Sequence, residues 1–269
     1  MEVAEAARDD DVKSFAQDLH QRSIALVDRL DRGHRSWLFY WMVTASLACG
    51  LRFSADSFLA MPTSVQMVSA LTYALVIGAP VASVLLAFHW FRDGEALPQP
   101  RHRLAVFGEW RSIDRAEAQS LPLYGVTGLM ASLLLGILLN IPVRTLEFLA
   151  AMPLLGATPP AWFGLLYHLM LVDVVLLSSL YAIALVAALR RVPLFPRLLA
   201  AIWALDIVMQ LLIANVMGGT EGLPPRVGGA LHQLLDGNLK KVLISLSLWM
   251  PYLLLSKRVN LTFRHRIPA

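Results

Sequence analysis

Six apolar stretches dominate this chain, each close to the length a helix needs to cross a bilayer. They run roughly over 36–53, 64–91, 121–143, 161–189, 197–216 and 240–256. At 1.5 Å of rise per residue, about 20 largely apolar residues span the hydrocarbon. Backbone groups in lipid must be satisfied within the segment, so such runs fold as helices. The expected fold class is therefore all-α, a polytopic transmembrane helix bundle of six spans. The second and fourth runs are long enough to tilt or project. The sixth is the weakest: its unbroken apolar part, Val242 to Leu255, is short, and Lys240 and Lys241 would have to snorkel outward from its start.

Composition agrees with a lipid solvent. Charged residues make up 16% of the chain, against about a quarter in soluble domains. A net charge of +4 over 269 residues gives no argument for a nucleic-acid partner, and the bilayer is the expected surrounding. The single cysteine, Cys49, excludes an intrachain disulfide and a Cys-based zinc cluster. The charged first 30 residues carry no apolar stretch before a small-residue cleavage site, so no cleavable signal peptide is expected.

Basic residues orient the spans. The N-terminal region, the 92–120 loop, the 190–196 turn with Arg197, and the C-terminal tail hold six, five, three and four Lys or Arg, 18 in all. The other side holds Arg52, Arg144, Arg226, Lys240 and Lys241. That asymmetry predicts both termini in the cytoplasm, which an even number of spans allows. Trp37, Trp41 and Trp90 near the inner ends and Trp162 near an outer end suit an interfacial belt.

Three parts are expected along the chain. Residues 1–35 form a cytosolic amphipathic helix, with Val12, Phe15, Ala16, Leu19, Leu26, Val27 and Leu30 on one face. It would lie on the membrane or against the cytosolic loop, or alternatively bind a membrane-protein partner. Residues 36–120 form a two-span extension whose loop, with Pro98 and Pro100, holds a short helix near 109–119. Residues 121–269 form a four-span domain with a basic tail. Its outer segment 144–160 is too apolar for a free loop and is placed at the interface. Its outer segment 217–239 carries a short helical piece near 227–236 between Gly and Pro punctuation. No internal repeat is visible.

The C-terminal stretch "WMPYLLLSKRVNLTF" resembles a known family. Trp249, Pro251 and Tyr252, then Ser256, Lys257, Arg258, Val259, Thr262 and Phe263, are similar to the close of the domain-of-unknown-function family 2569. Phe195-Pro196 after Arg190-Arg191 resembles that family's basic turn. The likeness covers about 120–266 and departs at Asn260, where the family commonly has lysine. It implies a small multi-pass protein of the bacterial inner membrane, with four spans in the family itself, and it implies no activity. From the residues alone, Pro251 cannot donate to the Ser247 carbonyl, so the last helix should bend there. Trp249 and Tyr252 would re-satisfy the freed group or simply pack, and Ser256-Lys257-Arg258 marks the exit from hydrocarbon.

Polar residues within the spans carry the functional question. A central ionised Asp costs roughly 2.5–3.5 kcal/mol on insertion scales. Asp173 lies within "LMLVDVVLL" and Asp206 within "IWALDIVMQ", with His168, Gln210 and Asn215 on the same two helices and Asn140 on the third. Counting from the hairpin, Asp173 is 17 residues before Arg190 and Asp206 is 9 after Arg197. That separates them by about 12 Å along the bundle, setting Asp206 near Tyr181 and Asp173 near Asn215. His168 and Asp173 lie about 140° apart on their helix and should not cluster. One reading makes the aspartates interhelical glue. The other makes Asp173, Asp206, Gln210, Asn215, Tyr181, His168 and Asn140 a polar cleft for a proton, cation or small solute.

No catalytic set is recognised. The chain has no H-E-x-x-H, G-x-S-x-G, Walker loop, G-x-G-x-x-G or G-x-G-D element. Its seven histidines, His20, His34, His89, His102, His168, His232 and His265, show no metal-ligand spacing, so neither metal nor cofactor is expected. The expected function is a non-catalytic membrane component, an accessory or scaffold subunit. The alternative is a small proton- or cation-linked transporter using Asp173 and Asp206. A lipid- or peptide-modifying enzyme ranks below both.

Overall fold

A computed structural model of the protein describes residues 17–18, 20–56, 58–101 and 108–269. Its long helices are His34–Ala55 (α1) and Thr63–Trp90 (α2), then, after a connector, Leu129–Ala151 (α4), Ala161–Leu189 (α5), Phe195–Gly218 (α6) and Pro225–Leu255 (α7). The connector holds a strand, Trp110–Ser112 (β1), and a short helix, Arg115–Ser120 (α3). After α7 come Lys257–Arg264 (α8) and Arg266–Pro268 (β2). The fold is an all-α helical bundle. Among the described residues, strand is confined to the antiparallel pair β1–β2. Five helices among the described residues, α1, α2, α4, α5 and α6, are long and apolar enough to cross a membrane, and α7 with α8, bent by 70°, brings the number to six where that pair counts as one span.

Helix α5 is the axis of the bundle, packing against α2, α4 and α6. It is the most apolar helix, and every residue from Ala184 to Leu189 is buried. α1 is the contrary case. Only Leu38, Ala45 and Cys49 are buried, while Phe39, Tyr40, Leu47 and Leu51 point outward, as do Met67, Val68 and Leu71 of α2. Outward apolar side chains in such density are stable facing lipid. Pro80 lies within α2 and has no N–H for the Val76 carbonyl, and beside it the Trp41 indole donates to the Ile77 carbonyl at 3.2 Å, tying α1 to α2.

One end of the bundle gathers the N-terminal segment, the connector, the α5–α6 turn and the tail. Residues 20–32 are helical. Leu26, Val27 and Leu30 of that helix pack into the chain's own core, and Ser23 accepts from the Gly128 N–H at 2.9 Å. The expected apolar face also includes Val12, Phe15, Ala16 and Leu19, which lie outside the described residues. The α5–α6 turn is closed by a Schellman motif, with Val192 N–H on the Ala187 carbonyl at 2.8 Å. Arg191 holds the left-handed position (φ 51°) where glycine is usual. Its guanidinium pairs with Glu95, which also receives Arg115 at 3.1 Å and Gln119 at 2.8 Å. Burial pushes the Glu95 carboxyl up, but the bonds and charges of Arg191 and Arg115 outweigh it and hold it below the ordinary range. Gly94 makes this approach possible: a Cβ there would lie 2.7 Å from Val192 Cγ2 and 2.8 Å from the Arg190 carbonyl oxygen.

Four expectations change. The third long helix is α4, displaced from 121–143, because Pro122, Gly125 (φ 110°) and Gly128 (φ 65°) keep 121–128 in turns. It therefore runs through Arg144 and Glu147 to Ala151, and the segment placed at the interface begins only at Met152. The sixth run and the helical piece near 227–236 are one helix, α7, whose buried stripe Leu231, Leu235, Asn238, Val242 continues without a break. Lys240 and Lys241 thus lie mid-helix, pairing with Asp236 at 2.6 Å and with Glu147, and do not snorkel from its start. The helix near 109–119 is α3 alone, capped by Asp114, which accepts the Glu117 N–H at 2.7 Å. Finally, α7 continues through Pro251, and the sharp turn comes at Ser256, where the Ser256 side chain caps α8.

Candidate functional site: a buried ionic layer

Two apolar cores fill the bundle, and a polar layer lies at their seam. In α4 the first core ends at Ile141 and the second begins at Phe148; in α5 they divide between Leu177 and Val174. In α6 the division falls between Met209 and Ile213, and in α7 between Val242 and Leu235. Arg144, Gln210 and Asn238 occupy the gaps in α4, α6 and α7, and Asp173 of α5 lies beside the boundary residue Val174; all four are buried.

Arg144 is the centre. Its Nη1 donates to Asp173 Oδ2 at 2.7 Å, its Nη2 donates to Asp206 Oδ2, and its Nε donates to Asn140 Oδ1 at 3.2 Å. Tyr181 Oη donates to Asp206 Oδ2 at 2.9 Å. Gln210 Nε2 reaches both remaining carboxylate oxygens, Asp173 Oδ1 at 3.1 Å and Asp206 Oδ1 at 3.4 Å. Asn238 Nδ2 donates to Gln210 Oε1 at 3.5 Å, and Lys241 Nζ donates to Asn238 Oδ1 at 3.2 Å and to Glu147. The chain of bonds ties α4, α5, α6 and α7 together.

Asp206 meets Tyr181 as the hairpin count requires. Asp173 does not meet Asn215, which is exposed, but shares Arg144 with Asp206. The 12 Å separation shrinks because Phe195 and Pro196 are already helical. Measured from Leu189 and Phe195, the aspartates differ by five residues, about 7.5 Å. The long Arg144 and Gln210 side chains bridge the rest. His168 is outside the cluster, exposed, with Nδ1 at 2.6 Å from the Gly164 carbonyl oxygen of its own helix. Asn140, Tyr181 and Gln210 belong to it.

Arg144 is the residue that sequence reasoning missed, with Asn238, Lys241 and Glu147 beyond it. Placing a span's end at 143 put Arg144 in an outer loop. The available signal was the spacing Asn140, Arg144, Glu147 inside apolar sequence that continues through Phe148 and Leu149, which puts three polar groups on one helix face.

A pocket of about 70 Å³ borders the layer, lined by Asn140, Tyr181, Trp203, Lys241, Ser245 and Trp249 among others. It has room for a few waters, far below the roughly 300–1,000 Å³ of an organic ligand site. Among the described residues no group of three His, Cys, Asp or Glu could hold a metal ion.

The residues of the C-terminal motif act elsewhere. Thr262 Oγ1 accepts the Gly125 N–H at 3.0 Å, Arg258 Nη1 donates to Thr127 Oγ1 at 2.7 Å, and Val259 is buried. Phe263 packs against Phe195 with the rings tilted by 35° and centroids 5.0 Å apart, so the tail motif and the Phe-Pro turn meet. Trp249 and Tyr252 pack edge to face at 5.9 Å, while Lys257 and Pro251 are exposed. Asn260 is fully buried and donates to the Leu254 and Ser256 carbonyls at 3.2 and 3.1 Å, and Arg264 donates to the Leu253 carbonyl at 2.9 Å. These bonds satisfy carbonyls at the end of α7. Comparison with protein-family models, with curated proteins and with solved structures gave no match.

Proposed function

We infer that the chain is a non-catalytic component of the bacterial inner membrane, with both termini cytoplasmic, whose ionic layer locks four helices into a fixed frame. The observation that carries this reading is that every carboxylate oxygen of Asp173 and Asp206 already has a donor from this chain. A substrate could reach them only by displacing buried, charge-assisted bonds. On this reading the likeness to family 2569 is a shared way of docking the tail, since Thr262, Phe263 and Arg258 do that work here. A membrane-protein partner would bind the outward apolar face of α1 and α2, with the N-terminal helix already seated on the bundle.

Crosslinking in native membranes followed by mild solubilisation tests the reading. One stoichiometric membrane partner is expected; a chain that remains alone at every crosslinker length overturns it. A reporter fused after Ala269 should be active only in the cytoplasm. A proton- or cation-linked transporter is the second reading, favoured by the pocket that touches Asn140, Tyr181 and Lys241. Ion-dependent uptake into vesicles containing the pure chain would establish it.

A further inference from the structure

We propose that the Arg144–Asp173–Asp206 centre holds one exchangeable proton, carried on Asp206, and that the pocket lined by Asn140, Tyr181, Lys241 and Ser245 is its entry. The inference stands on the charge count and the cavity, and it holds whether the chain is a frame or a carrier.

The buried layer is unbalanced. One guanidinium faces two carboxylates, all three groups nearly or fully excluded from solvent. The second cation, Lys241, is matched by Glu147 and contributes no surplus. The groups facing the aspartates are Asn140 and Arg144 from α4, Tyr181 from α5, and Gln210 from α6, with Asn238 of α7 behind Gln210. None besides Arg144 adds a positive charge. An uncompensated charge in low dielectric is expensive, and the least costly remedy is one proton.

Geometry selects Asp206. Its Oδ2 is shared by Arg144 and Tyr181, whereas its Oδ1 has only Gln210 at 3.4 Å. Asp173 has firm partners on both oxygens. Protonation of Asp206 leaves Arg144 and Asp173 as a one-to-one pair at 2.7 Å. Tyr181 both lines the pocket and bonds Asp206 Oδ2, so it is the relay. Its O–H proton passes to Oδ2 as its oxygen takes a proton from pocket water, so that Tyr181 then accepts from Oδ2–H and turns its own O–H to the pocket. Water is neutralised in turn by exchange with the medium, and the layer goes from a formal charge of −1 to zero.

Infrared difference spectroscopy on the full chain in lipid nanodiscs reads this directly. At neutral pH and without added sodium, the expected spectrum shows the carbonyl stretch of one protonated carboxylic acid per chain, shifting on transfer to heavy water. Asp206→Asn should abolish it. Tyr181→Phe and Ser245→Leu should keep the band but slow its isotope shift at least tenfold, and Tyr181→Phe, which takes a partner from Asp206 and none from Asp173, should also move the band's frequency; an unmoved frequency overturns the assignment to Asp206. Exchange at the wild-type rate in both removes the proposed entry. Absence of the band in the wild-type chain, its survival in Asp206→Asn, or its displacement by sodium at constant pH overturns the assignment of a proton to Asp206. Asp173→Asn checks the count independently: with Arg144 then matched by Asp206 alone, this variant too should lose the band while remaining folded.

Discussion

Arg144→Gln is the substitution that the ionic layer singles out. The glutamine keeps an amide donor but ends two bonds short of the arginine Nη atoms, and it removes the charge. In the native chain Arg144 is 8% exposed at its side chain, and it meets two carboxylates of comparable burial. At an effective dielectric of 20 a unit-charge pair near 4 Å is worth about 4 kcal/mol, so with the proton on Asp206 the Arg144–Asp173 attraction vanishes and Asp173 is left buried without a counter-ion. Removing one partner of a buried ion pair costs about 3–5 kcal/mol, and that is the expected loss. Asp206→Asn replaces a group that is already neutral and leaves the Arg144–Asp173 pair intact, so its cost should be about 1 kcal/mol, that of an altered hydrogen bond. Reversible unfolding of the pure chain in mixed detergent micelles, followed by circular dichroism, measures both. The ordering is the strict test. A loss below about 1 kcal/mol for Arg144→Gln, or an equal loss for Asp206→Asn, would refute the idea that charge pairing at Arg144 holds the four helices. In the background of Asp173→Asn with Asp206→Asn, Arg144 has no counter-ion, and Arg144→Gln should no longer destabilise the chain.

The tail-end contacts give further expectations. Thr262→Val removes the acceptor of the Gly125 N–H, a part-satisfied buried group costing about 1–3 kcal/mol, and should make residues 256–269 sensitive to added protease in opened vesicles. Gly94→Ala forces a Cβ against the Arg190 carbonyl and Val192, and it should raise hydrogen exchange at Arg191 and Val192 without altering the α4–α7 core. Glu95 carries a pH dependence of definite sign. Its folded value lies below the ordinary 4.5, so its stabilisation is complete above that value and is lost as pH falls through the lower, folded one. Protease protection of the connector should therefore weaken in acid, and Glu95→Gln should flatten that response.

Much of the bundle is written in hydropathy. The runs at 64–91 and 161–189 match α2 and α5 within two residues, because one long apolar run has few ways to be cut. The errors fall where charge interrupts the pattern. Arg144 looked like a span's end because a lone cation is costly in lipid. It is tolerated because Asp173 and Asp206, 29 and 62 residues later, are its partners, and no local rule sees that far. Lys240 and Lys241 broke α7 in the same way, although Asp236 and Glu147 compensate them. The pairing of Asp206 with Tyr181 was legible because a short hairpin fixes the register of its two helices. The role of Asn260 was not, since a buried amide feeding the carbonyls of a bent helix end leaves no trace in a pattern of apolar spacing.

The 70° turn after Leu255 has a consequence for biogenesis. Gly125, Thr127 and Phe195 find their covers in Thr262, Arg258 and Phe263, which leave the ribosome after all six long helices have been made. Until then the membrane segments are inserted but the cap over one end is open. Maturation is thus a closing step at the surface of the bilayer, and a nascent chain halted before Ser256 would carry a recognisable mark of incompleteness for cellular quality control.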